Sequence, residues 1–204
     1  EALEKIRKGM TVLIREGSVS KDLHALAPVL TERTSPFMAF CTDDRNPLDI
    51  AEEGHLDFVI RTAIRLGVPP LAAYRAASWS AARAFRLHDR GLVAPGWRAD
   101  LVVLDDFEAC RVSRVISAGR LVDEALFAAR PKVAPIGRHS IKARRMTAAD
   151  FRTPGAGPST PVIGIVPGRI VTERRDLTLP FVDGERRVDL DQDVIKIAVV
   201  ERHG

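Results

Sequence analysis

Residues 37–47 read FMAFCTDDRNP, a short apolar run that ends abruptly in Thr42, Asp43, Asp44 and Arg45. The run from Phe37 to Cys41 has the composition of a buried strand. Two adjacent carboxylates at the end of such a strand need a reason. In parallel α/β folds the C-terminal strand ends carry the functional groups, which would supply one. The upstream strand TVLIREG, residues 11–17, makes the same change from apolar to polar at Arg15 and Glu16, followed by Gly17 and Ser18. Taken alone, a strand end of this kind fits a helix N-cap or a buried Asp–Arg pair equally well.

Helical patterns surround these strands. Residues 1–8 read as the end of a helix closed by Gly9. Ser20 is placed to cap a helix over 21–31 that presents Leu23, Leu26 and Leu30. Leu56, Val59, Ile60 and Ile64 form the stripe of a helix over 55–66, stopped by Gly67. Pro69 and Pro70 open a helix over 70–85 with Leu71, Tyr74 and Ala77 on one face. Helix, strand, helix, strand, helix with short connections predicts a parallel α/β arrangement.

The pattern changes at Asp89. Pro95-Gly96 reads as a turn before a strand over 100–104, and two short strands flank the turn 117–119, giving a small antiparallel unit. A third region follows Pro131. Its segment TPGAGPSTP, 153–161, has the composition of a flexible linker or long loop. Strand-like stretches then cover 162–166, 169–173, 177–181, 186–190 and 194–200, with Asp183-Gly184 as a hairpin turn.

Composition narrows the classes. Hydrophobic residues make up 46% of the 204 and charged residues 28%, a normal globular balance. The 31 Lys and Arg exceed the 27 Asp and Glu by only four, so the basic clusters at 138–145 and 169–175 read as solvated faces. An aromatic content of 5% offers few platforms for stacking bases, which argues against a nucleic-acid partner. Cys41 and Cys110 are too few for a disulfide framework and suit a reducing cytoplasm. No apolar run approaches the roughly 20 residues of a membrane span, and the first residues given do not read as a signal peptide. The start at Glu1, inside a helical pattern, and the end just after a strand-like run suggest a segment of a longer protein. His24, His55, His88, His139 and His203 stand apart from one another and read as surface or capping residues. Trp79 and Trp97 read as packing residues, and Arg83 as half of a structural pair.

A wider likeness bears on the strand ends. SWSAARAFRLHDRGLVAPGWRADLVVLD, residues 78–105, resembles the signature that follows the barrel in the amidohydrolase superfamily, with Gly91, Pro95, Gly96, Ala99, Asp100 and Leu101 fitting. EALEKIRKGMTVLIREGS, FCTDDRNPLDIAEEGHLDFVIRTAI and VIGIVPGRIVTERRDLTLPFVDG look like the bacterial adenine deaminase family within it. The resemblance implies an α/β fold. Residues 1–88 would be the last strands and helices of a (β/α)8 metal-dependent hydrolase barrel. Residues 89–135 would be a β-sandwich segment, and 136–204 the start of an additional C-terminal α+β domain.

The implied reaction is hydrolytic deamination of adenine to hypoxanthine and ammonia, a step of purine salvage, by a cytoplasmic homo-oligomer. The implied cofactor is a pair of divalent metal ions, manganese or iron, with zinc as an alternative. Asp43, after Thr42, matches the superfamily aspartate that ends barrel strand eight, contacts the metal centre and takes a proton from the attacking water. Glu16 and Ser18 end the preceding strand and are candidates for hydrogen bonds to the purine edge, with Glu16 alternatively holding Arg15. Asp44 is a candidate for substrate contact or for pairing with a neighbour, and Arg45 for neutralising the acids. The family's His-x-His pair, bridging carboxylate and two further histidines do not occur here, so most metal ligands would lie outside this segment. The alternatives are another cyclic-amide hydrolase, dihydroorotase- or hydantoinase-like, and a non-catalytic basic binding module.

Overall fold

A computed structural model describes residues 1–167 and 171–203; the strand expected over 169–173 lies partly outside the described residues. The chain divides into two compact units, one built from Glu1–Arg130 and the other from Pro131–Val166 with the stretch from Val171 onward.

In the first unit α1 (Ala2–Arg7) leads into β1 (Val12–Arg15), which pairs in parallel with β2 (Met38–Cys41), Val12 opposite Met38 and Arg15 opposite Cys41. Parallel neighbours need a crossover connection. Here it contains α2 (Leu23–Leu26) and two 3-10 turns, Ala27–Val29 and Ser35–Phe37. The helix expected over 21–31 is therefore short. Ser20 does not cap it, because residues 20–22 fold back on the strand end: the Gly17 amide donates to Ser20 O at 3.0 Å and the Asp22 amide to Arg15 O at 2.8 Å. Pro28, without an N–H, closes the other end as a 3-10 turn.

Four helices follow β2: α3 (Pro47–Glu52), α4 (Leu56–Arg65), α5 (Pro70–Ala77) and α6 (Trp79–Ala84). Val59 and Ile60 of the α4 stripe are buried as expected. The helix expected over 70–85 is two helices. Ser78 breaks it at φ −127° and ψ −85°, its hydroxyl donating to Tyr74 O at 2.7 Å. The buried face of α5 is Ala72, Ala73 and Ala76, while Leu71 is 60% exposed. Small residues there let α5 lie close against β2 and α4. Ile14, Leu23, Leu30, Met38 and Val59 are fully buried and anchor this core. The partner of Arg83 is the Trp79 ring, over which it lies at 5.5 Å.

Beyond α6 the strands β3 (Leu101–Asp106), β4 (Arg111–Ser117) and β5 (Arg120–Leu121) form an antiparallel sheet in that order, with Ala118 and Gly119 both at positive φ in the hairpin turn. Gly91 shows why that signature needs glycine. Its φ is +92°, and a Cβ would meet Ala82 Cβ at 2.8 Å and Ser78 O at 3.0 Å. A last helix, α7 (Glu124–Ala128), is capped by the Asp123 side chain, which accepts from the Leu126 amide at 2.8 Å.

The second unit holds two antiparallel pairs: β6 (Ser159–Ile165) with β7 (Thr172–Thr178), and β8 (Phe181–Val182) with β9 (Glu185–Arg186). Asp183-Gly184 is the hairpin turn, as expected, with φ of 53° and 75°. The segment expected as a linker is not one. Residues 159–161 belong to β6, and the Thr153 hydroxyl donates to Arg186 O at 2.6 Å while the Arg186 amide returns to Thr153 O at 3.0 Å. Residues 177–178 finish β7, and the stretch expected over 186–190 shrinks to the end of β9. The strand expected over 194–200 is absent among the described residues, where only an Asp189–Val194 bridge occurs. Ile195, Ile197 and Val199 keep the alternation of a strand but are 73%, 81% and 93% exposed, with no ladder to join.

Glu185 organises this unit. Its carboxylate meets Lys196 at 3.1 Å, Arg152 at 3.3 Å and Arg187 at 3.5 Å, and accepts from the Thr153 amide at 3.2 Å. The Lys196 hydrogen bond, outweighing the burial that opposes it, holds the carboxyl at about 2, against an ordinary value of 4.5. Because the folded value is depressed, the stabilisation is complete above pH 4.5 and is lost as pH falls from 4.5 towards 2. The protection of the Thr153 and Arg186 amides, measured against their intrinsic exchange rates, should therefore fall across that window in the native chain. In Glu185→Gln protection should already be lower at neutral pH and should change little across the acidic window; equal pH dependence in both would remove Glu185 from the role.

Candidate active site

The C-terminal ends of β1 and β2 lie side by side because the pair is parallel, and the Glu16 amide donates to Cys41 O at 2.9 Å, extending the ladder by one residue. This brings Glu16, Gly17 and Ser18 next to Thr42, Asp43 and Asp44. The four candidate side chains then separate by what they touch.

Asp43 is exposed and makes no hydrogen bond or ion pair among the described residues. It also carries a positive φ of 47°. It sits in a tight turn closed by the Arg45 amide donating to Thr42 O at 3.1 Å. Asp and Asn enter the left-handed region more readily than other non-glycine residues, and such conformations gather at functional sites.

Asp44 is engaged with the neighbouring strand end. Its carboxylate accepts from the Val19 amide at 3.1 Å and the Ser20 amide at 3.4 Å. Desolvation pushes its pKa up, but these amides outweigh that and hold the carboxyl below its usual range. Ser18 accepts from the Asn46 amide at 2.9 Å and donates to Asp49. Glu16 is 2% exposed and accepts from the Leu23 amide at 3.3 Å. Burial pushes its pKa up, partly offset by that amide and by Lys21, His24 and Arg45. It does not hold Arg15, which instead pairs with Asp22 at 3.2 Å.

Two structural features of this mouth differ from the sequence reading or lie beyond it. Arg45 was expected to neutralise the acids. It turns inward instead, with its side chain 1% exposed, and pairs with Glu53 at 2.6 Å. It also donates to Gly54 O at 2.8 Å and lies 4.3 Å over the Phe58 ring. The helix α3 was the other. Asn46 caps it by accepting from the Asp49 amide at 2.9 Å, and Pro47 fills its first turn. The Asn-Pro pair followed by Asp49 was the available signal, but none of its residues is buried, so no apolar stripe revealed it.

Among the described residues no group of three or more His, Cys, Asp or Glu side chains is placed to hold a metal ion. The five histidines are all exposed. Asp43 is thus the one unengaged carboxylate of the three among the candidates, and any metal at this mouth would draw its other ligands from outside the described residues.

Comparisons with known proteins bear on the family of the chain. Residues 4–122 match the amidohydrolase family. The whole chain is 72% identical to an adenine deaminase of Methylobacterium nodulans, 65% to adenine deaminase 1 of Agrobacterium fabrum and 67% to an adenine deaminase of Methylobacterium sp. strain 4-46. It spans 36% of the length of each of these relatives. Among solved structures, a β-aspartyl dipeptidase from Fervidobacterium islandicum is similar at 19% identity and a TM-score of 0.44, over 58% of this chain and 34% of that one.

Proposed function

This chain belongs to the amidohydrolase family, and on that premise we propose that it is part of a metal-dependent hydrolase that converts adenine and water to hypoxanthine and ammonia. The single observation that carries the reading is the unengaged Asp43 carboxylate at the end of β2, in a chain 72% identical to an adenine deaminase. In this reading β1 and β2 are the last strands of a (β/α)8 barrel, residues 89–135 belong to a β-sandwich, and residues 136–204 begin a further domain. The enzyme works in the cytoplasm, as a homo-oligomer, in purine salvage. The 204-residue chain by itself is inactive, since two strands do not close a barrel.

Asp43 fits as one ligand of a divalent metal site, manganese, iron or zinc, and the described residues do not complete such a site. Bound metal would supply Lewis-acid polarisation at this mouth. Asp43 itself takes the proton from water as the oxygen attacks C6 of the purine, then gives it to the departing amine, which leaves as ammonia. A water proton thereby moves to nitrogen, and the oxygen stays on the base. Ser18 borders the same mouth and can meet the purine edge, whereas Glu16, buried on the Leu23 amide, and Asp44, held by the Val19 and Ser20 amides, are taken up by the protein. The test is product analysis of the full-length polypeptide with adenine and with dihydroorotate. Hypoxanthine and ammonia from adenine alone support the reading; ring opening of dihydroorotate alone would transfer the site to a cyclic-amide hydrolase.

A further inference from the structure

We infer that Asp44 and Gly17 form a clasp that positions Asp43, and that Asp44 is a positioning residue with no contact to the reacting atoms. The inference rests on the catalytic role proposed for Asp43. The Asp44 carboxylate bridges to the neighbouring strand end, accepting from the Val19 and Ser20 amides. It can do so because residue 17 has no side chain. A Cβ on Gly17 would lie 1.7 Å from Asp44 Oδ1, 2.9 Å from its Cγ and 3.1 Å from Thr42 O. The space a side chain would fill is therefore occupied by the Asp44 carboxylate, and the glycine is fixed by close approach; its φ is not in the left-handed region. A second tie runs one residue away, where the Ser18 hydroxyl accepts from the Asn46 amide at 2.9 Å and donates to Asp49. Asp43 lies between the Glu16–Cys41 backbone bond and the Asp44 tie, in the left-handed turn. Without them the turn could relax and carry the Asp43 carboxylate away, and a displacement of about 1 Å at a reacting group costs on the order of a hundredfold.

The clasp predicts a coupled pair. In the full-length enzyme Asp44→Ala and Gly17→Ala should each lower kcat by about 10–100-fold with KM nearly unchanged. Asp44→Asn, which keeps an acceptor for the two amides, should recover most of the activity and leave the pH profile unmoved. The double variant should be no worse than Asp44→Ala, because removing the carboxylate makes room for the new Cβ. Amide exchange at Val19 and Ser20 gives a readout independent of turnover: slow in the native protein and in Asp44→Asn, fast in Asp44→Ala. Fast native exchange at both amides overturns the clasp. So does a multiplicative double variant, or an Asp44→Asn variant as impaired as Asp44→Ala with KM raised. Should the native enzyme fail to deaminate adenine, the proposed function falls, and the exchange series still decides whether the clasp exists. If Gly17→Ala fails to fold, the two Asp44 variants carry the test.

Discussion

Asp43→Asn in the full-length enzyme is expected to lower turnover by about 10²–10⁴-fold, the usual worth of a positioned acid–base group, while leaving the fold intact. Asn is nearly isosteric and, like Asp, tolerates the left-handed conformation that residue 43 adopts at φ 47°. The loss therefore reports the carboxylate, as proton acceptor and metal ligand, and not the backbone. Asp43→Ala adds a backbone cost of about 1–2 kcal/mol at a left-handed position, so it should be both inactive and less stable. Asp43→Gly should be inactive yet at least as stable as native. Steady-state kinetics with denaturant unfolding on the three variants separates chemistry from strain. If Asp43→Asn kept full activity, this strand end would have no part in the reaction.

The largest stability effect is expected at Arg45. Its guanidinium is buried, bonded to Glu53, Gly54 O and Asp49 O, and stacked on Phe58. Arg45→Met fills much of the same volume but removes three hydrogen bonds made by a charged group. Glu53 is 46% exposed and regains water, which limits the penalty. The loss should be about 2–4 kcal/mol in denaturant unfolding. Arg45→Lys should recover little of it, because an ammonium reproduces neither the fork of donors nor the stacking on Phe58. A variant within about 0.5 kcal/mol of native would show that the network is not a stabilising element.

What the sequence made legible follows from what each element buries. The strand over Met38–Cys41 could be read because three of its four residues are buried and apolar. The helix α4 could be read because its stripe meets the core. The helix α3 has no buried residue, so periodicity had nothing to report. The break at Ser78 carries neither glycine nor proline, and a continuous helix was the natural expectation until the Ser78 hydroxyl found Tyr74 O. The stretch 194–200 has the alternation of a strand without a neighbour among the described residues, and a strand's existence depends on its partner.

The candidate site divides in the same way. The polar strand ends were visible as composition, and the alignment of the two ends followed from parallel pairing. The Gly17–Asp44 contact was not visible, because it joins loops separated by 27 positions and depends on an atom that glycine lacks. The inward turn of Arg45 was hidden for a similar reason: apart from Asp49 O in α3, its partners Glu53, Gly54 and Phe58 come from the segment beyond that helix.

The central claim is that Asp43, and not its neighbour, faces the reacting centre. The measurement that tests it most directly is a crystal structure of the full-length polypeptide loaded with manganese, the metal located by its anomalous scattering. The expected result is an Asp43 carboxylate oxygen within about 2.0–2.3 Å of the metal, at ordinary ligand distance, with Asp44 still on the Val19 and Ser20 amides. A metal bound by Asp44, or one with no ligand from residues 42–45, would contradict the account.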